Sequence, residues 1–483
     1  MGLPRIIGQI FFMLHASQAT PEDIARIREK RFRRLLRTAV AKSPFYRNLY
    51  RGIDIETCGL SDLPTVDKRT MMANFDDFVT DRRLKKAEIS AWLEDKSHLR
   101  KMYLGKFIPF RTSGTTGENA LVIYDRRALD FVHAALISRQ AHPEEMTMLD
   151  ILRLMFTSLF VQRFGMTAVL VTGGPYPAYT IAAYPPPFYK LFVKKEIHSL
   201  FDSVDKIVEK LSASSCNELY SYPTMLSILA REQLAGRLHL KLDPPLATIV
   251  STSEPLTEST KRIVQAAWGM KIQDTYGSSE CFMMARSCSR FERMHVMADL
   301  CIIEIVDRHG KPVPDGQTGD KILLTNLFNL AQPFIRYEVS DVTGYSTEPC
   351  SCGQPFPTLL QVEGRTDDIF YIDRPGGGYD AVHPNLFIGP ILELTQVREY
   401  QLAQTGRNEV TFFYVPVNPA GDIESKVREV LENGMRRAGL LGRVTLKTTC
   451  VGDIPRDERS GKIRQVISII GAPADLDDDV LRH

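Results

Sequence analysis

Several easy assignments are excluded by what this chain has little of. Its 8 cysteines in 483 residues are too sparse for a disulfide scaffold. No small-residue cleavage site follows the apolar run at residues 6–14, so the expected setting is reducing and cytoplasmic. That run is also too short to cross a bilayer. No integral membrane span is therefore expected, although an amphipathic helix or a membrane-surface contact stays open there. A surplus of one charge is missing too: 60 Lys and Arg face 58 Asp and Glu, leaving +2. This gives no electrostatic reason to expect nucleic acid as a partner. Internal repeats and long low-complexity segments are absent.

The chain does have length and 44% hydrophobic residues, enough for one large domain and one or two smaller ones. Between residues 21 and 42, Ile24, Ile27, Phe32, Leu35, Leu36 and Val40 recur at helical spacing among many Arg and Lys, and Ser43-Pro44 ends the pattern. A basic amphipathic helix is predicted. Residues 120–250 alternate apolar runs such as 168–172 with helical stretches at 204–211 and 224–235, predicting α/β layering. From 300 to 370 short β-branched runs at 302–306 and 321–325 are divided by turns such as His309-Gly310-Lys311-Pro312, predicting a β-rich subdomain. Beyond Asp367 come a strand pattern at 410–415, a helical one at 423–438 and another strand at 444–448. The predicted fold class is α/β: a large domain over 1–366 of layered α/β subdomains plus a β-rich subdomain, then a small α+β domain over 367–483.

Thr112-Ser113-Gly114-Thr115-Thr116-Gly117 packs hydroxyls and glycines as a phosphate-holding loop does, with backbone N–H groups brought close to an anion. Glu118 and Asn119 follow, where a Walker loop requires Gly-Lys-Ser/Thr. Taken alone, the stretch reads equally well as a polar surface loop. Downstream stand Ser253-Glu254-Pro255, then Asp274-Thr275-Tyr276-Gly277-Ser278-Ser279-Glu280, Arg336-Tyr337 with Asp341, Gly364-Arg365-Thr366-Asp367-Asp368, and Ser460-Gly461-Lys462. Both of the first two segments are expected on loops. A tyrosine beside a glycine can lie on a purine, and a nearby carboxylate can hold Mg²⁺ that bridges phosphates. Each residue also has a plainer role: Glu280 as a helix cap, Asp341 as a turn former, Tyr276 as a core aromatic, Lys462 as a solvated lysine, and Arg365 with the two aspartates as a surface ion cluster.

In this order the motifs resemble the adenylate-forming superfamily of acyl-CoA synthetases and adenylation domains. Within it the likeness is to phenylacetate-CoA ligases, through Ser43-Pro44-Phe45-Tyr46-Arg47, Leu63-Pro64-Thr65-Val66-Asp67-Lys68 and Cys350-Ser351-Cys352-Gly353. The resemblance implies two steps: ATP-dependent conversion of a carboxylic acid, aryl or arylacetic, to an acyl adenylate with pyrophosphate release, then transfer to the thiol of coenzyme A. It implies that Lys462 bridges carboxylate and α-phosphate, and that Arg365 assists at the nucleotide. Glu280 would hold Mg²⁺, and Thr112, Ser113, Gly114, Thr115, Thr116 and Gly117 would cradle the β- and γ-phosphates. Ser253, Glu254, Pro255, Asp274, Thr275, Tyr276 and Gly277 would form the nucleotide site, with Tyr276 on adenine and Asp341 on the ribose. Asp367 would be the hinge of a mobile small domain. A homodimer is left open.

Cys288, His295, Cys350 and Cys352 make a donor set suited to a structural Zn²⁺. Ordinary buried cysteines are the other reading, and Cys281 and Cys301 compete as ligands. Tyr220, Tyr222, Pro223 and Ser251 are candidates for the acid's slot. Two departures from the family pattern matter. Glu118-Asn119-Ala120 stand where relatives carry a lysine, and residues 369–387 are longer than the compact hairpin that lines the pantetheine tunnel. Transfer to a carrier protein or an amine, AMP transfer to a cofactor, and a non-catalytic ATP-binding scaffold therefore remain as alternatives.

Overall fold

Helix α1 (Leu3–Ala16) opens a computed structural model that describes residues 3–112, 120–140, 163–186, 189–242, 247–254, 256–288, 290, 293–307, 309–360, 370–382, 387, 394, 396–418, 423–437, 439–455 and 466–468. Helix α2 (Pro21–Lys42) covers the span its periodicity predicts. It starts in a capping box, where Thr20 and Asp23 exchange side-chain and backbone bonds and Pro21 takes the first turn. Its apolar stripe of Ile24, Phe32, Leu35, Leu36 and Ala39 is buried. It stops at Ser43, whose hydroxyl then caps α3 (Pro44–Leu49) by accepting from the Tyr46 N–H at 3.3 Å. Short helices α4 (Lys68–Ala73), α5 (Phe75–Phe78) and α6 (Lys86–Glu94) follow. Strands β1 (Phe107–Arg111) and β2 (Leu121–Asp125) then form an antiparallel hairpin that leads into α7 (Arg126–Gln140).

Next come β3 (Phe164–Leu170), β4 (Val193–Ser199), the two-residue β5 (Ser215–Cys216), β6 (Glu218–Ser221), the two-residue β7 (Lys241–Leu242), β8 (Thr248–Thr252) and β9 (Ile272–Tyr276). Strands β9, β8, β6, β3 and β4 lie side by side and parallel, while β5 and β7 form a separate pair. Parallel neighbours need crossovers. After β4 the helices Val204–Ser212, Pro223–Leu234 and Glu258–Trp268 supply them and bury Ile207, Leu211, Leu226, Leu229, Ile263 and Val264 with the sheet. The predicted α/β layering is therefore realised here.

Strands β10 (Ala285–Ser287) and β11 (Met294–Val296) extend the same sheet in antiparallel fashion. The chain then forms a three-stranded antiparallel sheet of β12 (Cys301–Val306), β13 (Lys321–Asn326) and β14 (Tyr337–Val339). It returns as β15 (Thr358–Leu359), which pairs with β11 and completes the eight-stranded sheet. The predicted β-rich region thus splits between two sheets. β15 belongs to the large one because its partner His295 pairs with Thr358. A last group has its own core, including Phe370, Phe412, Leu431 and Val466. It contains the hairpin β16 (Phe370–Asp373) and β17 (Tyr379–Val382), then the sheet β20-β19-β18-β21 of β18 (Val397–Gly406), β19 (Glu409–Pro416), β20 (Thr445–Cys450) and β21 (Val466–Ser468). Helix Glu424–Arg437 lies between β19 and β20 in the chain.

Candidate active site

In a parallel α/β sheet the loops at the carboxyl ends of the strands converge on ligand. Here those ends carry Tyr222 after β6, Ser253 and Glu254 after β8, and Gly277 to Glu280 after β9. Contrary to the loop expectation, Asp274, Thr275 and Tyr276 lie on β9 itself. Their β-sheet pairing with Ser251 and Thr252 fixes the directions of these side chains. The turn after β9 folds back tightly: the Ser278 N–H donates to the Cys281 carbonyl at 3.0 Å and the Cys281 N–H to the Ser278 carbonyl at 3.1 Å. A Cβ on Gly277 would lie 2.3 Å from the Phe282 carbonyl oxygen, so only glycine fits there.

That turn delivers Glu280. Its backbone carbonyl accepts from the Tyr124 hydroxyl at 3.1 Å and from the Asn326 amide at 2.7 Å, and Phe282 stacks on Phe110 of β1. No helix begins at Glu280, which removes the capping role. Its carboxyl is buried, and burial pushes its pKa up, opposed in part by the Lys68 charge and reinforced by Asp341. The Tyr337 phenol meets the same carboxylate. Lys68 and Tyr337 are site residues whose placement beside Glu280 sequence reasoning missed, since about 270 residues separate them. The link is a short parallel bridge. The Val66 N–H donates to the Arg336 carbonyl at 3.1 Å and the Glu338 N–H to the Val66 carbonyl at 2.9 Å. The motif at residues 63–68 is thereby docked against Arg336-Tyr337; their shared membership of one motif set was the available signal.

Asp341 and Tyr276 also meet: the Tyr276 phenol donates to an Asp341 carboxylate oxygen at 2.8 Å. The proposed adenine and ribose contacts are thus neighbours. Glu254 does structural work, its carboxylate accepting from both the Thr224 N–H at 3.0 Å and the Thr224 hydroxyl at 2.7 Å and so capping the helix Pro223–Leu234. Ser253 sits at φ 69, a left-handed conformation uncommon outside glycine. Asp274 accepts from the Ser251 hydroxyl at 2.6 Å, and burial outweighs that bond to raise its pKa to about 6. Of the acid-slot candidates, Tyr222 is built into the core under its helix, whereas Tyr220 is half-buried.

The phosphate-loop candidate links β1 to β2 in the chain. Its neck is closed by Thr112, whose N–H donates to the Ala120 carbonyl and whose hydroxyl accepts from the Ala120 N–H, both at 2.9 Å. Ser113, Gly114, Thr115, Thr116 and Gly117 lie outside the described residues, as do Pro255, Arg365, Asp367 and Lys462.

The four metal candidates converge. Cys288, His295, Cys350 and Cys352 present donor atoms that all lie within 4.8 Å of one another. The Cys288 and Cys350 sulfurs are 3.8 Å apart and the Cys352 sulfur is 3.3 Å from His295 Nε2. A tetrahedral Zn²⁺ with metal–sulfur bonds of about 2.3 Å requires sulfurs about 3.8 Å apart. His295 Nδ1 faces the Phe356 carbonyl at 3.1 Å, which turns Nε2 to the cluster. Cys281 and Cys301 are engaged elsewhere, with the Met283 carbonyl and with those of Met284 and Met297.

Residues 106–324 match the model of the AMP-binding enzyme family, a span running from β1 through β13 and including the phosphate-loop hairpin, Ser253 and Glu280. The phenylacetate-coenzyme A ligase of Thermus thermophilus is 25% identical over 485 residues, covering 93% of this chain and 97% of that one. Over residues 106–324 the chain is similar to the AMP-binding enzymes, in keeping with the family that the motif order resembles. Over nearly its whole length it is similar to a phenylacetate-coenzyme A ligase. A second such ligase, from Pseudomonas putida, is 28% identical over 160 residues, 32% of this chain and 34% of its own. A solved structure of 2-hydroxyisobutyryl-CoA ligase with 2-HIB-AMP and CoA shares the fold of this chain. The TM-score is 0.56 at 20% identity, covering 94% of this chain and 91% of that one.

Proposed function

We propose that the protein activates an aryl or arylacetic acid with ATP and Mg²⁺ as an acyl adenylate, releases pyrophosphate, and passes the acyl group to coenzyme A. The observation that carries this reading is the grouping of Tyr276, Asp341, Glu280, Tyr337 and Lys68 at the carboxyl ends of the parallel strands. That set offers an aromatic face, a carboxylate for ribose hydroxyls, a carboxylate for a divalent cation, and positive charge beside it. Attack of a carboxylate on the α-phosphorus joins two anions, so charge compensation and alignment dominate the barrier. Lys462 and Arg365 would supply that compensation, with the phosphate loop at residues 112–117 holding the departing pyrophosphate. The small domain, residues 367–483, would then rotate about Asp367 to exchange Lys462 for the thiol's entry path.

Acid-dependent pyrophosphate release across a panel of aryl, arylacetic and short aliphatic acids, with and without CoA, tests the reading. Thioester detected by mass spectrometry with an arylacetic acid is the expected result. Adenylate without thioester would move the acceptor to a carrier protein, an amine or a cofactor. The hairpin β16–β17 motivates that arm: its turn spans residues 374–378, with Gly377 and Gly378 at positive φ. No release with any acid would leave the non-catalytic scaffold. In the same assay Lys462→Ala should cut adenylate formation at least about a hundredfold while sparing thioester formation from supplied adenylate. Equal loss in both steps would refute its role.

We also propose that the cluster of Cys288, His295, Cys350 and Cys352 holds a structural Zn²⁺, supported by the 3.8 Å sulfur separation and the oriented imidazole. Nothing in the arrangement puts it near the reacting groups. Its task would be to pin the antiparallel end of the large sheet.

A further inference from the structure

Five of the eight large apolar side chains exposed among the described residues are Phe11, Phe12, Met102, Leu104 and Leu191. All five belong to segments without a single Asp or Glu: residues 1–18, 96–111 and 163–195. The fold gathers these segments around the start of α7. The Arg126 N–H donates to the Lys106 carbonyl at 3.1 Å, and its guanidinium donates to the Tyr184 and Pro185 carbonyls at 3.2 and 3.0 Å. The Tyr184 hydroxyl donates to the Lys101 carbonyl at 2.8 Å. Helix α1 runs alongside α7 in the same direction, with Arg5 acting on Asp130 at one end and Ser17 accepting from Arg139 at the other.

We propose that this face docks on an anionic lipid bilayer surface. Arg5, Arg100, Lys101, Lys106, Arg127 and Lys190 are exposed on the segments that form it. Carboxylates near it are engaged within the protein: Asp125 accepts from the Ala128 N–H, Asp130 pairs with Arg126, and Glu196 pairs with Lys194. The turn at 101–106 projects apolar tips. Tyr103 points inward, and its N–H donates to the Phe107 carbonyl at 2.8 Å. Met102 and Leu104 point outward, Leu104 at φ 50 and 49% exposed. Apolar tips ringed by lysine and arginine suit the interface of an anionic leaflet. They suit a second copy of this chain poorly, because a two-fold interface sets this basic patch against itself and lysine is depleted at protein interfaces. The turn lies at the end of β1 opposite Thr112 and Ala120.

Flotation of the full chain with phosphatidylcholine vesicles, with and without phosphatidylglycerol, tests this. Binding is expected only with phosphatidylglycerol and should weaken as salt is raised. Lys101→Ala and Lys106→Ala should each lower partitioning about fivefold, and Leu104→Ser and Leu191→Ser should also lower it, with thermal melts unchanged. Absence of binding to anionic vesicles would overturn the proposal. So would binding indifferent to all four substitutions, or a dimer in solution that Leu104→Ser dissociates.

Discussion

The two ends of the eight-stranded sheet are held together by different physics. At the parallel end, β3, β4, β6, β8 and β9 are packed by crossover helices with a continuous apolar core. At the antiparallel end, β10, β11 and β15 are two or three residues long. There an apolar cluster that includes Met284, Ala285, Val296 and Leu359 is joined by buried polar contacts, the four-donor cluster and an ion pair. Arg139 and Asp299 are both fully buried and 3.1 Å apart, Arg31 lies 3.6 Å from the same carboxylate, and Arg286 donates to the Arg139 carbonyl. With strands this short, directional bonds add to the apolar packing in fixing their register. The catalytic carboxylate candidate Glu280 sits between the two regimes, on the turn that joins β9 to β10.

The largest effect should come from breaking the cluster. Cys350→Ser should reduce bound zinc from one equivalent to near zero and uncouple unfolding of the antiparallel end from the rest, since structural zinc contributes about 10 kcal/mol or more in small metal-held folds. Metal analysis of chelator-free protein and a thermal melt measure it. Wild-type protein with far less than one equivalent of zinc would remove the metal from the comparison. Next in size, Asp299→Ala should cost about 3–5 kcal/mol by leaving the buried Arg139 charge without its carboxylate, read from denaturant midpoints.

At the junction, Gly277→Ala forces a methyl against the Phe282 carbonyl and should cost about 1–3 kcal/mol. Because Glu280 rides on the same turn, pyrophosphate release should fall more than stability does. Equal losses would make the turn a purely structural element.

The smallest effect belongs to the parallel end and depends on pH. Burial raises Asp274 to about 6, so between its unfolded value and that one the folded state holds a proton the unfolded chain has lost, and this group's contribution falls as pH rises. Asp274→Asn removes that penalty. It should gain at most about 3 kcal/mol over wild type above about pH 6 and lose the advantage below about pH 4. Thermal melts from pH 4 to pH 8 check the sign.

Local pattern determined much of this protein. The period and end of α2, two of the crossover helices and the strand and helix succession of residues 409–450 were legible, because each is fixed by neighbours within a few residues. The motif order also pointed to the AMP-binding enzymes that residues 106–324 match, since chemistry restricts residue type at each position. What the sequence left open depended on contacts across long separations. The choice of Cys288, His295, Cys350 and Cys352 over Cys281 and Cys301 rests on β11 pairing with β15. Lys68 comes beside Glu280 only because Val66 bridges to β14. Tyr222 is buried only once its helix packs down on the sheet. A sequence records which groups a site requires, whereas tertiary pairing decides which of several equivalent groups are brought within a few ångströms and which are turned away.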